Sequence, residues 1–165
     1  MESRNPPSRL SMRQSSLTLT RLGQWLAVIL PLTLTHLRGL AEADMDCLAV
    51  LLLIYSARNR RWGWAREPWI VATFCWWTWQ VLCTLWVSPR HGALGQSLAA
   101  IRFPVAAAAL GCWVLRDAVW RQRTLWVTCG CGLYIAVQML LQATIGYNLF
   151  GVPRFHDGTL TGPYT

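Results

Sequence analysis

WIVATFCWWTWQVLCTLWVS, residues 69–88, is twenty residues long without one formal charge. As an α-helix rising 1.5 Å per residue it is about 30 Å long, the thickness of a bilayer's hydrocarbon core. Residues 93–115 and 124–146 are two more apolar stretches of similar length. Each of the three is closed on one side by an arginine cluster: Arg58, Arg60, Arg61 and Arg66 before the first, and Arg116, Arg121 and Arg123 between the other two. A water-soluble chain of 165 residues could hardly build a core large enough to hide so much apolar surface. The expected fold class is all-α, a polytopic transmembrane helix bundle.

Composition points the same way. The chain is 54% hydrophobic and 13% charged, with positive mean hydropathy and eleven tryptophans. Trp25, Trp62, Trp64, Trp69, Trp86 and Trp126 fall near expected span ends, where an amphipathic ring favours the headgroup layer. Trp76, Trp77 and Trp79 fall inside a span and are expected to pack against other helices. The net charge of +8 comes from arginines alone, without lysine, and these sit between apolar runs rather than along one basic face. That spacing fits topology determinants and not a nucleic-acid surface. Six cysteines lie in or beside apolar runs without a C-x-x-C pair, so they are expected to be small buried hydrophobes and not disulfides or metal ligands.

Along the chain, residues 1–22 mix Arg4, Arg9, Arg13 and Arg21 with Pro and Ser, and are expected to be a disordered basic tail. Residues 23–146 form the membrane bundle, and residues 147–165 a polar tail beyond it. Within residues 23–57 the apolar runs are short and flank Arg38, Glu42, Asp44 and Asp46, so either two tilted spans or one re-entrant hairpin is possible. On a helix starting near Arg38, Glu42 is its i+4 neighbour. The run 93–115 is interrupted chemically by Arg102 and Pro104. About five membrane segments result. Eleven arginines fall on the N-terminal side of the membrane, against Arg38, Arg90 and Arg154 on the other, which places the N-terminus in the cytoplasm.

Few residues carry chemistry. Arg102 lies within a span, where a guanidinium is costly and by default marks an anion contact or a buried partner. Snorkelling is the bland alternative, since Arg102 is roughly 10 Å from the outer end of its span at 1.5 Å per residue. Arg154 and His156 follow the last span in a tail rich in Gly, Pro and aromatics. An arginine there can hold phosphate oxygens by paired hydrogen bonds. Gln138 and Gln142 share one helix face, and interhelical hydrogen bonding is expected of them. Gly130 and Gly132 are expected at a close helix contact.

Several segments taken together carry a resemblance. Ile101-Arg102-Phe103-Pro104, the helix end Trp113-Val114-Leu115-Arg116-Asp117 and residues 138–146 precede Gly151-Val152-Pro153-Arg154-Phe155-His156-Asp157-Gly158-Thr159-Leu160-Thr161-Gly162-Pro163. From about residue 24 to the C-terminus the chain resembles the N-terminal portion of bacterial O-antigen ligase family proteins, relatives of the O-antigen polymerases. The Pro-Arg-x-x-x-Gly-x-Leu-Thr-Gly-Pro tail is the most specific element. The resemblance implies a multi-pass glycosyltransferase of the bacterial inner membrane, working on the periplasmic face. Its members transfer a glycan from undecaprenyl pyrophosphate to lipid A core without metal, nucleotide or other cofactor. Arginines hold the pyrophosphate, and a histidine from a later periplasmic segment assists the acceptor hydroxyl. Carried over by position, Arg154 matches the arginine before the Gly-rich turn and Arg102 is a second pyrophosphate-binding candidate. His156 is not that histidine, and no residue here is assigned as catalytic. Family members have about twice as many spans, so the chain is expected to be a truncated ligase, inactive alone. The alternative is a small non-catalytic integral membrane protein packing in a membrane complex. A transporter has less support, because no acidic relay or polar pore stripe stands out.

Overall fold

The computed structural model of the protein describes residues 9–86 and 90–153. These fold as helices: α1 (Arg9–His36), α2 (Arg38–Asn59), α3 (Pro68–Thr84), α4 (Arg90–Ala99), α5 (Arg102–Cys112) and α6 (Ala118–Ile145), with short 3₁₀ turns at Gly63–Arg66 and Val114–Arg116. Among the described residues there is no strand, only an isolated bridge between Tyr147 and Pro153. Three helical segments are long and apolar enough to cross a bilayer: Ser16–His36, Gly92–Arg116 and Ala118–Ile145. Leu133, Leu140 and Ile145 of α6 are about two-thirds exposed, and only 11% of the apolar window of that helix is buried. Hydrocarbon, not water, is the solvent such a face accepts. The described residues are thus all-helical, with three segments long and apolar enough to cross a membrane.

Residues 23–57 resolve into parts of two long helices. α1 and α2 meet at Leu37 and pack side by side as a hairpin. With 22 residues, α2 is about 33 Å long at 1.5 Å per residue, but it is not among the helices apolar enough to cross a bilayer. The acids Glu42, Asp44 and Asp46 do not stop it, although none lies in its first turn; Glu42 and Asp46 meet the Arg102 guanidinium. The helical run also reaches back to Arg9, so the expected unstructured tail is displaced by helix over residues 9–22. Residues 1–8 lie outside the described residues.

α5 is the centre of the bundle. Its Pro104, Val105, Ala106, Ala108 and Ala109 are buried, and it packs on α2 and, less extensively, on α3. Small side chains let helix backbones approach where no water-driven force pulls them together. Leu48 and Leu52 of α2, with Ala27 and Leu30 of α1, complete the apolar core. α3 pairs with α4, and the Trp77 indole N–H donates to the Ser97 carbonyl at 2.8 Å. α6 lies along α1 in the same direction, with Trp25 edge-on to Trp120 near one end and His36 against Tyr134 near the other.

The stretch 93–115 is broken where its chemistry changes. α4 ends at Ala99 and α5 starts at Arg102. Pro104 has no N–H to give Ala100, whose carbonyl accepts instead from Phe103 at 3.1 Å in a tighter i+3 turn. Pro104 then sits in the first turn of α5, where a missing donor costs nothing.

Three packing expectations are corrected. Trp76 and Trp79 are 61% and 66% exposed, and of the inner tryptophans only Trp77 docks on a neighbouring helix. None of the six cysteines is buried; Cys47, Cys75, Cys83 and Cys129 are exposed, although all six are free thiols. Gly130 and Gly132 face open space, so they mark no helix contact. In each case an apolar or small residue sits on the lipid-facing side, where hydrocarbon accepts it as readily as a protein core does. The close approach lies at Gly23 instead. A Cβ there would meet Val114 Cγ2 at 3.0 Å and the Trp113 ring at 3.3 Å. Gly23→Leu is expected to cost about 1–3 kcal/mol by overpacking α1 against the 3₁₀ turn. Gly130→Leu, with no neighbour within 4 Å, should be neutral or stabilise by up to about 1 kcal/mol through helix propensity. Unfolding in mixed micelles, followed by tryptophan fluorescence, separates the two.

Candidate functional site

The break between α4 and α5 places Arg102 beside α2. One guanidinium nitrogen, Nη2, donates to Glu42 Oε2 at 3.0 Å, and Nη1 lies 3.6 Å from Asp46 Oδ2. Glu42 and Asp46 are i and i+4 on α2, hence on one face. The Phe103 ring lies 5.2 Å from the guanidinium carbon, a cation–π distance. Arg102 Nε is buried without a hydrogen-bond partner. The cation within the apolar run is thus answered by two carboxylates of α2, Glu42 lying 60 residues away in the chain. Glu42 is engaged by Arg102; the side chain of Arg38, its expected i+4 neighbour, lies outside the described residues. An anion reaching Arg102 must compete with both carboxylates. Asp44, two residues on from Glu42, turns to another face of α2, where it is buried with neither carboxylate oxygen hydrogen-bonded.

The second arrangement is at the C-terminal end of α6. Gly146 ends the helix in the left-handed region at φ 90°, and its N–H donates to the Gln142 carbonyl. The chain then doubles back as a tight loop closed by the Tyr147–Pro153 bridge. Asn148 is its hub. Its side-chain oxygen accepts from the Phe150 and Val152 amides at 3.0 and 2.8 Å, while its backbone N–H donates to the Val152 carbonyl. Asparagine is favoured at such turns because its side chain reaches the backbone two residues on. Gly151, at φ 76°, supplies the remaining left-handed residue and donates to the Asn148 carbonyl.

Gln138 and Gln142 fasten this loop to α6. Both are essentially fully buried. Gln138 Oε1 accepts the Leu149 amide at 2.8 Å, and Gln138 Nε2 donates to the Tyr134 hydroxyl at 2.9 Å. Gln142 Nε2 donates to the Val152 and Pro153 carbonyls, each at 3.3 Å. Both glutamines bond the chain that follows the helix, and Gln138 also bonds Tyr134 one turn back on α6. The physical reason is local: the chain leaving α6 folds back on the helix, and its backbone polar groups need partners there. His36 of α1 adds a ring contact to Phe150 at 6.5 Å.

Of the two pyrophosphate candidates, Arg102 is placed in the ion-pair cluster, while Arg154 lies outside the described residues, as does His156. The loop holds Pro153, the residue before Arg154, at the end of the bundle that also carries His36. The partners Glu42 and Asp46 were missed as a site, although a lone arginine in one apolar run and two acids four apart in another are a readable pair. Among the described residues no group of three His, Cys, Asp or Glu is gathered for a metal ion. Compared with known protein families, with curated proteins and with solved structures, the chain shows no match.

Proposed function

We propose that this is a multi-pass protein of the bacterial inner membrane with five membrane segments and a cytoplasmic N-terminus. On this reading it forms the N-terminal portion of an O-antigen ligase-like glycosyltransferase. The observation that carries the proposal is the docked loop at residues 147–153. It fixes the start of the Pro-Arg-x-x-x-Gly-x-Leu-Thr-Gly-Pro stretch at the bundle end opposite the arginine-rich loops. By the positive-inside rule that end is periplasmic, the face on which a lipid-linked glycan is transferred.

The five segments are α1, α2, α3, the broken α4–α5 pair and α6. Arg154 is the residue assigned to the pyrophosphate of undecaprenyl pyrophosphate. In transfer to lipid A core, the sugar–oxygen bond breaks as the acceptor hydroxyl bonds to the sugar carbon, and negative charge grows on the departing pyrophosphate. A guanidinium already in place stabilises that charge without reorganising. The acceptor proton goes to a base from another part of the family's fold. Arg102, held by Glu42 and Asp46, serves the architecture and keeps the broken span against α2.

The test joins residues 24–165 to the remaining spans of an O-antigen ligase in a ligase-deficient strain and reads capped lipopolysaccharide on a gel. Capping is expected from the chimera, is lost with Arg154→Ala, and is absent with this chain alone. A stably inserted chimera without capping would favour the non-catalytic membrane protein.

A further inference from the structure

At the arginine-rich end of the bundle the ends of α1, α2 and the turn before α6 enclose a cleft of about 870 Å³. Four guanidiniums line it: Arg21 from α1, Arg60 and Arg61 from the end of α2, and Arg116 from the second 3₁₀ turn. Among the described residues none of the four forms a salt bridge. The acids on the lining are Glu67 and Asp117, and Asp117 Oδ1 already accepts the Val119 amide at the start of α6. The cleft therefore keeps a net charge of +2 on its walls.

The floor is aromatic. Tyr55 and Trp113 stack at 4.7 Å, and the Trp64 indole donates to the buried Ser56 hydroxyl at 2.8 Å. Ser56 also fixes the rim, because its carbonyl accepts the backbone amides of both Arg60 and Arg61. That cap puts Arg60 in the left-handed region at φ 50°, where glycine is the usual residue and a side chain costs about 1 kcal/mol. The helix end is built with an arginine there although a glycine would close it more easily.

We propose that this cleft binds the headgroup of an anionic phospholipid carrying two phosphates. Two phosphate charges match the net +2, and guanidiniums bind phosphate oxygens through paired hydrogen bonds. Basic pockets between membrane helices at the water interface hold such headgroups, and the volume lies within the usual range of ligand sites. Trp62, Trp64, Trp113 and Trp120 are on its lining, and tryptophan is the residue type that favours headgroup depth. The acyl chains have an apolar path along the exposed faces of α1 and α6, beside Leu22 and Leu125. The inference rests on the membrane reading alone and is independent of glycan transfer.

Native mass spectrometry of the full chain released from detergent micelles tests it, with cardiolipin, phosphatidylcholine of matched acyl length, or inorganic pyrophosphate added. Cardiolipin should be retained and phosphatidylcholine lost. R60G/R61Q should bind cardiolipin about tenfold more weakly while unfolding no earlier than the parent, since glycine suits position 60. R58Q/R66Q removes the same charge from the same loop but outside the cleft, and should stay within about twofold. R116Q, on a different element, should weaken binding as well. Equal retention of phosphatidylcholine overturns the proposal. Equal loss in the two double variants, or full displacement by pyrophosphate without lipid preference, does so too.

Discussion

Arg102→Leu is expected to destabilise the bundle by about 2 kcal/mol and to loosen α5 from α2. The substitution removes the cation that Glu42 and Asp46, four residues apart on one helix face, share. Removing one member of a well-buried pair costs about 3–5 kcal/mol, because the remaining charge is uncompensated. Here the side chains are 26%, 42% and 50% exposed, which brings the cost below that range, to about 2 kcal/mol. The triple variant Arg102→Leu, Glu42→Gln, Asp46→Asn should recover most of the loss, since replacing all members of such a cluster is close to neutral. Unfolding in mixed micelles measures both. A single variant as stable as the parent would show that the cluster does not hold the helices together.

Gln138→Leu with Gln142→Leu is expected to release the loop at residues 147–153 while leaving the helices inserted. The double variant removes the acceptor of the Leu149 amide and the donor to the Val152 and Pro153 carbonyls. Each buried group left without its partner costs about 1–3 kcal/mol. Together they amount to about 3 kcal/mol of docking, on the order of a hundredfold in the open population. Hydrogen exchange at the Leu149 and Val152 amides reads this directly, and both should exchange much faster. If the loop positions Arg154 as proposed, the ligase chimera carrying the double variant should also lose capping despite normal insertion. Unchanged exchange at both amides would mean that Asn148 and the glycines hold the loop unaided.

The long apolar helices were legible because a bilayer sets the length of a span. The runs 93–115 and 124–146 fall on segments long and apolar enough to cross, whereas the helix in 69–88 is the 17-residue α3, which is not among them. Residues 69–88 and 124–146 each contain a single helix over most of their length. The break in 93–115 was announced by Arg102 and Pro104, two residues that disrupt an apolar helix for separate reasons. What could not be read was which face of each helix meets protein. In water, burial and hydrophobicity coincide; in hydrocarbon they do not. Trp76, Trp79, Gly130 and Gly132 therefore looked like contacts and are exposed, while Gly23 looked ordinary and is the tight one. The two glutamines were legible as a pair on one face, but not their partner, since the loop that takes them lies beyond the helix. α2 was obscured by its three acids, whose purpose is plain only once Arg102 is set beside two of them.

Topology mapping with reporter fusions tests the central claim most directly, a multi-pass bundle whose arginine-rich loops share one side. Fusions after Leu37, Gly92 and Gly151 are expected to activate a periplasmic reporter, and fusions after Trp62 and Asp117 a cytoplasmic one. A cytoplasmic signal at Leu37 or Gly151, or recovery of the intact chain from the soluble fraction, would contradict the account.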